Sequence, residues 1–529
     1  MYTTHKLKLG LMIKYICSLN HLFAFLLFPA GLQAQPNIQW QKSFGGSLYD
    51  EARSIQQTTD RGYIVAGTTV SDDGDVGATH GYDEFWVLKL DSIGSIQWKG
   101  TYGGSGHDDA FAIEQTNDGG FIVAGFTKSN DGDVSGNHGD YDAWVLKLDS
   151  GGGIQWQKCF GGSGWEEAWD IQQTTDGGYI LIGRSSSMDG DVTVNYGFLD
   201  YWVVKMNDIG IIEWQKSLGG SGLDLGYAIS QTPDGGYIVA GESQSSDGDV
   251  TANQGSSDFW VVKLNYEGKV IWERSYGGSA LDRANDIKQT REGGYIVFGQ
   301  SASNNGDVTN AHGNYDNWAV KISEAGDIEW QKSLGGSNED FAKSIQQTDG
   351  EGYITIGTTS STNGDVLGNN GINDIWVVRL TELGEIQWQK TLGGNSDEWG
   401  NFIQQTTDGG FAIAGYNWST NGDATICHGY NDFWVVKLSP ESVSTKENIP
   451  VRTLDIYPNP AQQSINIKIP LPESACSVSI SDLLGRELSC QTIANEGKVN
   501  IEALPDGFYL LTATTSSGKV YSGKFRKEE

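Results

Sequence analysis

The chain has 529 residues, with 72 Gly and 18 Trp against 4 Met, and a formal net charge of −32. So large an excess of carboxylates repels phosphate backbones and anionic headgroups, which argues against nucleic acid and anionic membrane as partners. After residue 34 no apolar run approaches the ~20 residues a spanning helix needs, so no transmembrane segment is expected in the mature chain.

Lys6, Lys8 and Lys14 precede the apolar stretch Leu22 to Leu32, which ends at Gln33-Ala34-Gln35. Residues 1–34 therefore read as a secretory signal peptide cut after Ala34, the apolar run being too short for a membrane anchor. Cys17 would leave with it. Cys159 and Cys427 are single substitutions within repeated columns and read as inert. Cys476 and Cys490 fall on two expected strands joined by a tight turn, which makes a disulfide a candidate without establishing it.

From Trp40 onward nearly the same phrase is written seven times. One Trp, in runs such as Trp260-Val261-Val262-Lys263, recurs at Trp86, Trp144, Trp202, Trp260, Trp318, Trp376 and Trp434. A second, ahead of a Gly-Gly pair, recurs at Trp40, Trp98, Trp156, Trp214, Trp272, Trp330 and Trp388. Every step in both columns is 58 residues, without insertion or deletion. Such a period decides the fold before local propensity does.

Within residues 50–102 four strands are expected: a around Ala52 to Thr58, b from Gly62 to Thr69, c from Glu84 to Leu90 and d from Ser95 to Tyr102. The turn from a to b reads Asp-Gly-Gly in most copies, as at Asp118-Gly119-Gly120, where Gly supplies positive φ without steric cost. Strands b and c are continuous apolar runs, so both of their faces are buried. These features predict an all-β chain: a seven-bladed β-propeller of 58-residue four-stranded repeats over residues 35–439. The ring begins on a lone strand d, Ile38 to Phe44, and the last repeat stops after strand c, Phe433 to Leu438. The first strand is therefore expected to complete the seventh blade and remove an exposed edge. An open solenoid is the alternative, and it would need atypical capping repeats. The two columns assign fourteen of the eighteen Trp to packing between blades. Each hides ~150–250 Å², a gross contribution of a few kcal/mol at ~25 cal/mol per Å².

The b-to-c connection runs about fourteen residues, Val70 to Asp83 in the first repeat, and loops of that length are usually functional. Comparing the seven copies separates architecture from function. Gln57, Thr58, Gly67, Asp75 and Gly81 are the same in every copy. Three columns are acidic throughout, those of Asp50, of Glu84, and of Asp75, Asp133, Asp191, Asp249, Asp307, Asp365 and Asp423. The Asp-Gly-Asp phrase offers hard oxygen ligands to Ca²⁺. Its spacing is not that of an EF-hand, however, and a turn closed by Asp onto backbone amides needs the same residues, so the turn reading is favoured. The His column, His80, His138, His312 and His428, gives way to Tyr196, Gln254 and Asn370 elsewhere and reads as loop surface rather than a metal site.

Symmetry breaks at the start of strand a, in the column Arg53, Phe111, Trp169, Tyr227, Asn285, Lys343 and Asn401. It breaks again at the end of strand b, in Thr68, Phe126, Arg184, Glu242, Gln300, Thr358 and Tyr416, with Trp418 close by. Of these, Phe111, Trp169, Tyr227, Phe126, Arg184, Tyr416 and Trp418 are the ligand-binding candidates, since aromatics with interspersed polar groups stack on sugar rings or grip a peptide. Drift of exposed positions is the competing explanation. The carboxylates that break symmetry are Glu114, Asp170, Glu242 and Asp286, and paired carboxylates serve glycosidases. No Ser/His/Asp set, His-rich metal spacing or phosphate-binding Gly loop accompanies them.

Residues 440–451 have linker composition. Residues 452–529 lack Trp and alternate polar with apolar positions over Ser464 to Ile469, Ser477 to Ser481 and Phe508 to Thr514, which predicts a separate small Ig-like β-sandwich. Three motifs mark this region: Tyr457-Pro458-Asn459-Pro460, Ile480-Ser481-Asp482-Leu483-Leu484-Gly485-Arg486, and Leu504-Pro505-Asp506-Gly507-Phe508-Tyr509. In this order they resemble the C-terminal sorting domain of type IX secretion substrates. The resemblance implies the type IX machinery as a partner and a secreted, extracellular or surface-attached protein. The acidic end Glu528-Glu529 departs from the family pattern. More loosely, the repeats resemble bacterial β-propeller repeats carrying GGS-x-x-[DE] and D-G-G-[YF] phrases, a family with no single activity to carry over. Two functions follow as expectations. The first is a non-catalytic binding or adhesion protein that presents a propeller face to glycan or protein and uses no cofactor. The second is a secreted carbohydrate-active hydrolase or lyase using the four carboxylates.

Overall fold

The structure, a computed structural model, describes residues 33–443, 452–468, 475–481, 487–494, 496–515 and 520–528. The expected signal peptide with Cys17, most of the linker and residues 482–486 of the second motif lie outside the described residues. Gln33–Ser442 and Val443–Glu529 fall in separate compact units.

The first unit consists of seven four-stranded antiparallel sheets. In the first blade the strands are Asp50–Gln57 (a), Tyr63–Thr69 (b), Glu84–Leu90 (c) and Ile96–Tyr102 (d). Each a strand packs beside the a strand of the next blade, and the seventh, Glu398–Gln405, packs beside the first. The ring is therefore closed, and it is a propeller. Its last blade is completed from the other end of the chain. Ile38–Phe44 pairs with Asp432–Leu438, setting Ser43 opposite Trp434 and Phe44 opposite Phe433.

Packing follows the two Trp columns. Trp86 and its six equivalents are fully buried; Trp86 lies 4.5 Å from Phe433 and Trp144 lies 4.6 Å from Phe85, each ring reaching the preceding blade. The second column sits on strand d and packs edge-on against strand b of the next blade, as in Trp40 on Tyr63 and Trp98 on Phe121. Strands b and c are buried on both faces.

Strand a starts two residues earlier than the sequence suggests, and it carries a bulge. Ala52 pairs with Gly67 and Ser54 with Ala66, leaving residue 53 outside the ladder. The same shift occurs in every blade, for example between Ala110 and Ala112, and between Ala342 and Ser344. The bulge explains the repeated Gly67, since a Cβ there would collide with the Glu51 carbonyl oxygen.

The second unit has a five-stranded sheet, Arg452–Thr453, Val520–Lys527, Gly507–Thr515, Ala475–Ser481 and Glu487–Ala494, and a three-stranded sheet, Asp455–Tyr457, Ser464–Lys468 and Glu496–Asn500. Ile465, Ile467 and Val499 of the smaller sheet share one core with Val478, Leu511 and Phe525 of the larger. Asn459 of the first motif accepts the Arg526 N–H at 2.9 Å and donates to the Lys524 carbonyl at 3.0 Å, tying that motif to the last strand. The ladder sets Cys476 opposite Ile493 and Cys490 opposite Ser479. The two cysteines are thus three positions out of register, about 10 Å along a strand and beyond disulfide reach.

Candidate functional site

The bulge residues all turn toward the axis. Arg53, Phe111, Trp169, Tyr227, Asn285, Lys343 and Asn401 line one cavity of about 630 Å³ in the central channel. A bulge frees one side chain from the pairing pattern and re-aims it. The column whose symmetry break is visible in the sequence is therefore the column the backbone releases.

Blades 2–4 supply an aromatic wall. Phe111 and Trp169 stack with centroids 4.1 Å apart and planes 5° from parallel, and Tyr227 meets Trp169 edge-on at 5.1 Å. Arginines interleave with them. Arg53 lies over Phe111, Arg184 over both Trp165 and Trp169, and Arg283 over Tyr227 at 5.4 Å. Each guanidinium also holds a carboxylate: Arg53 with Glu51 at 2.6 Å, Arg184 with Glu167 at 2.6 Å and Arg283 with Glu242 at 2.8 Å. Glu242, a carboxylate candidate for catalysis, is buried outside the cavity lining and also accepts from Tyr227 and Ser257.

Glu114, Asp170 and Asp286 do line the cavity, and their contacts account for them as latches between blades. Strand a exposes an unpaired edge to the channel, and side chains of the preceding blade cover it. Gln56 accepts the Gln115 N–H at 2.5 Å, Gln172 that of Gln231 at 2.8 Å, and Gln404 that of Gln57 at 2.6 Å. Glu114 holds the same place and accepts the Gln173 N–H at 2.6 Å. Two positions away, Asp170 accepts the Ile229 N–H at 3.0 Å, and Asp286 accepts from Ile345 N–H at 2.9 Å and the Ser344 hydroxyl at 3.0 Å. Burial, and then the neighbouring Asp170, push Glu114 up to about 7. Burial raises Asp170 to about 6. Lys288 pairs with Asp286 at 2.7 Å, and burial is opposed there by the charges of Asp286 and Asp170, which raise its pKa.

Phe126, Tyr416 and Trp418 stand apart from the cavity lining. Phe126 packs on Phe111 and Tyr141, Tyr416 lies over Trp399, and Trp418 is 42% exposed on the long-loop rim. Arg283 and Glu167 were not among the candidates, although their column (Glu51, Asp109, Glu167, Leu225, Arg283, Phe341, Trp399) is as varied as its neighbours. It pairs across the ladder with the strand b column already named, Glu167 opposite Arg184 and Leu225 opposite Glu242.

The acidic columns close turns. Asp50 accepts from the Gly46 N–H and the Ser71 hydroxyl, Asp142 from the His138 N–H, and Asp133 from the Gly103 N–H. Among the described residues no group of three His, Cys, Asp or Glu is placed to hold a metal ion. Asp142, Asp200, Asp258, Asp316, Asp374 and Asp432 each keep one buried carboxylate oxygen without a hydrogen-bond partner. The His side chains lie over these acids, His138 at 2.7 Å from Asp142 and His428 at 2.6 Å from Asp432.

Residues 455–527 match the family of secretion system C-terminal sorting domains. The chain carries a type IX secretion tail. That tail marks the protein for export to the cell surface or the extracellular space and makes the type IX machinery its partner. Among the described residues no helix is long and apolar enough to cross a membrane. No curated protein is similar enough to match the chain. Solved structures resemble it distantly. A BBS1N structure in complex with ARL6DN is 8% identical, with a TM-score of 0.41 over 78% of this chain and 98% of that one. A puromycin hydrolase is 9% identical, with a TM-score of 0.42 over 83% of this chain and 62% of that one. The extracellular domain of BT3049 from B. thetaiotaomicron is 10% identical, with a TM-score of 0.26 over 90% and 67%. At such identities and scores the likenesses carry no argument about activity.

Proposed function

We propose that this secreted protein is a non-catalytic binding or adhesion protein whose propeller channel receives a glycan or protein ligand outside the cell. One observation carries the reading. The seven bulge residues, freed from the ladder, converge on a single cavity, while the repeated columns are spent on turns and blade packing. A cavity of about 630 Å³ with an aromatic wall and a few placed polar groups has the size and lining of a small-ligand site. The reading does not call on Ca²⁺: each acidic column accepts backbone N–H groups, as a turn-closing carboxylate does.

The hydrolase alternative keeps one supporting observation, the Glu114 carboxyl held at about 7, where a general acid would want it. Against it, Glu114, Asp170 and Asp286 are each committed to a backbone N–H of the next blade. A glycan array on the secreted protein, run beside an assay for new reducing ends, tests the proposal. Retention without product supports binding. Reducing ends released by purified protein, and lost in Glu114→Gln, overturn it in favour of the hydrolase.

A further inference from the structure

The cations lining the channel are Arg53, Arg184, Arg283, Lys288 and Lys343. Four of them hold a carboxylate within 2.6 to 2.8 Å. Among the described residues Lys343 has no hydrogen bond, ion pair or ring contact. Glu51, whose charge favours its ammonium, is already bound to Arg53, while Arg53 and Arg283 repel it. An unpaired ammonium inside a protein is costly, and an ammonium facing a cavity with its neighbours already neutralised is a socket for an anion.

The groups around Lys343 add to this. Asn285 and Asn401, on the blades to either side, donate their amide N–H to the Ala342 and Ala52 carbonyls. Their amide oxygens have no partner among the described residues and remain acceptors on the cavity wall. The polar arc of blades 5–7 therefore presents an acceptor, a cation and an acceptor, and across the channel from it stand Phe111 and Trp169. We infer that the channel ligand is an acidic saccharide, whose carboxylate or sulfate pairs with Lys343 while its hydroxyls donate to Asn285 and Asn401 and its apolar side faces the aromatic wall. Burial, followed by Arg53 and Arg283, pulls the Lys343 ammonium down to about 8, so it remains mostly charged near neutrality.

This inference rests on the binding reading above and names the ligand class for the same cavity. Calorimetric titration of the secreted protein with oligogalacturonate, a sulfated galacto-oligosaccharide and a neutral galacto-oligosaccharide tests it. At least one acidic sugar should bind about tenfold or more tighter than the neutral one, and the carboxylated and sulfated arms identify which anion is preferred. Lys343→Gln should remove that preference, bringing acidic and neutral sugars to equal affinity, and Lys343→Arg should keep it. Equal affinity for acidic and neutral sugars, or a preference that survives Lys343→Gln, overturns the inference and leaves the binding function standing. Failure of the folded protein to bind any of the three sugars overturns the inference, and only retention of other ligands would then sustain the binding reading.

Discussion

Replacing Glu114 by Gln separates a latch from a catalytic acid. The position is Gln in the equivalent places of four other blades, Gln56, Gln172, Gln346 and Gln404, so the amide fits and its oxygen can accept the Gln173 N–H as the carboxylate does. The carboxyl carries a cost that the amide does not. Burial first, then Asp170, lift Glu114 from 4.5 to about 7, a span worth about 3 kcal/mol at about 1.4 kcal/mol per pH unit. Contact with the channel screens part of this, so about 1–2 kcal/mol is expected. The sign follows from proton counting. Below pH ~4.5 folded and unfolded chains both hold the proton, and the native protein and Glu114→Gln should melt alike. Between ~4.5 and ~7 the unfolded chain loses its proton first, so native stability falls with pH and the amide gains a relative advantage. By pH 8 Glu114→Gln should melt about 1–2 °C higher, the shift that about 1–2 kcal/mol produces in a unit spanning Gln33–Ser442 at about 2 cal/mol/K per residue. Tryptophan fluorescence melts of both proteins across pH 4–8 at constant ionic strength would show this, since the buried Trp columns report blade separation. A variant less stable than native at pH 8, or a difference that does not grow between pH 4.5 and 7, would refute the latch.

Lys343→Met should stabilise the unliganded protein at pH 7 by about 1–3 kcal/mol: Lys343 is lowered from 10.5 to about 8, so its cost is complete below ~8 and fades as pH rises toward 10.5. Urea titrations at pH 7 and pH 10 check that the advantage shrinks. Asn317 is fully buried with neither amide atom hydrogen-bonded, so the similarly shaped Asn317→Leu should gain about 1–3 kcal/mol in chemical denaturation. Removing Gln35 to Phe44 strips the Trp40 and Phe44 packing and the edge pairing of Asp432–Leu438, a loss of several kcal/mol; a truncated chain that stays monomeric and melts like the intact one would contradict ring closure. Melting should be equal in chelator and in millimolar calcium, whereas a calcium-dependent rise would assign a cation to the six unpartnered aspartate oxygens.

Much of the fold is legible in the sequence because the period carries it. A 58-residue step held over both Trp columns leaves no freedom in strand order, and the phase of the repeat, entering on strand d and leaving on strand c, places the closing strand. The motifs around Asn459 and Tyr509 mark the second unit in the same way. The bulge was not legible. Its signature is a register shift, and register depends on which residues face each other across the ladder. The Gly67 column recorded its consequence without its cause. The latches were hidden for another reason. Glu114 stands in a column that is otherwise mostly Gln, and as a sequence symbol it reads as new chemistry, whereas physically both side chains offer an oxygen to the same N–H. Compensation was hidden too: blade 5 carries Phe298 where blades 1, 2, 4 and 7 have Ala, and the small Asn317 where blades 1, 4 and 7 have Phe. Bulk has moved from one strand to its neighbour.

The bulge also explains why variation gathers where it does. A residue within the ladder is held by two neighbours and by the alternation of faces, so changing it disturbs pairing or core. The bulge residue has no partner to lose. Arg, Phe, Trp, Tyr, Asn and Lys can all stand there without moving the sheet, at a cost confined to what they meet in the channel. Seven such positions around one cavity allow the ligand to be changed while the blades stay fixed. On the same logic, exchanging Lys343 with the Asn of a neighbouring bulge, as Lys343→Asn with Asn401→Lys, should leave the melting temperature within a few degrees and shift anion binding by one blade. A collapse of the fold on that exchange would show that the bulge residues are structural after all.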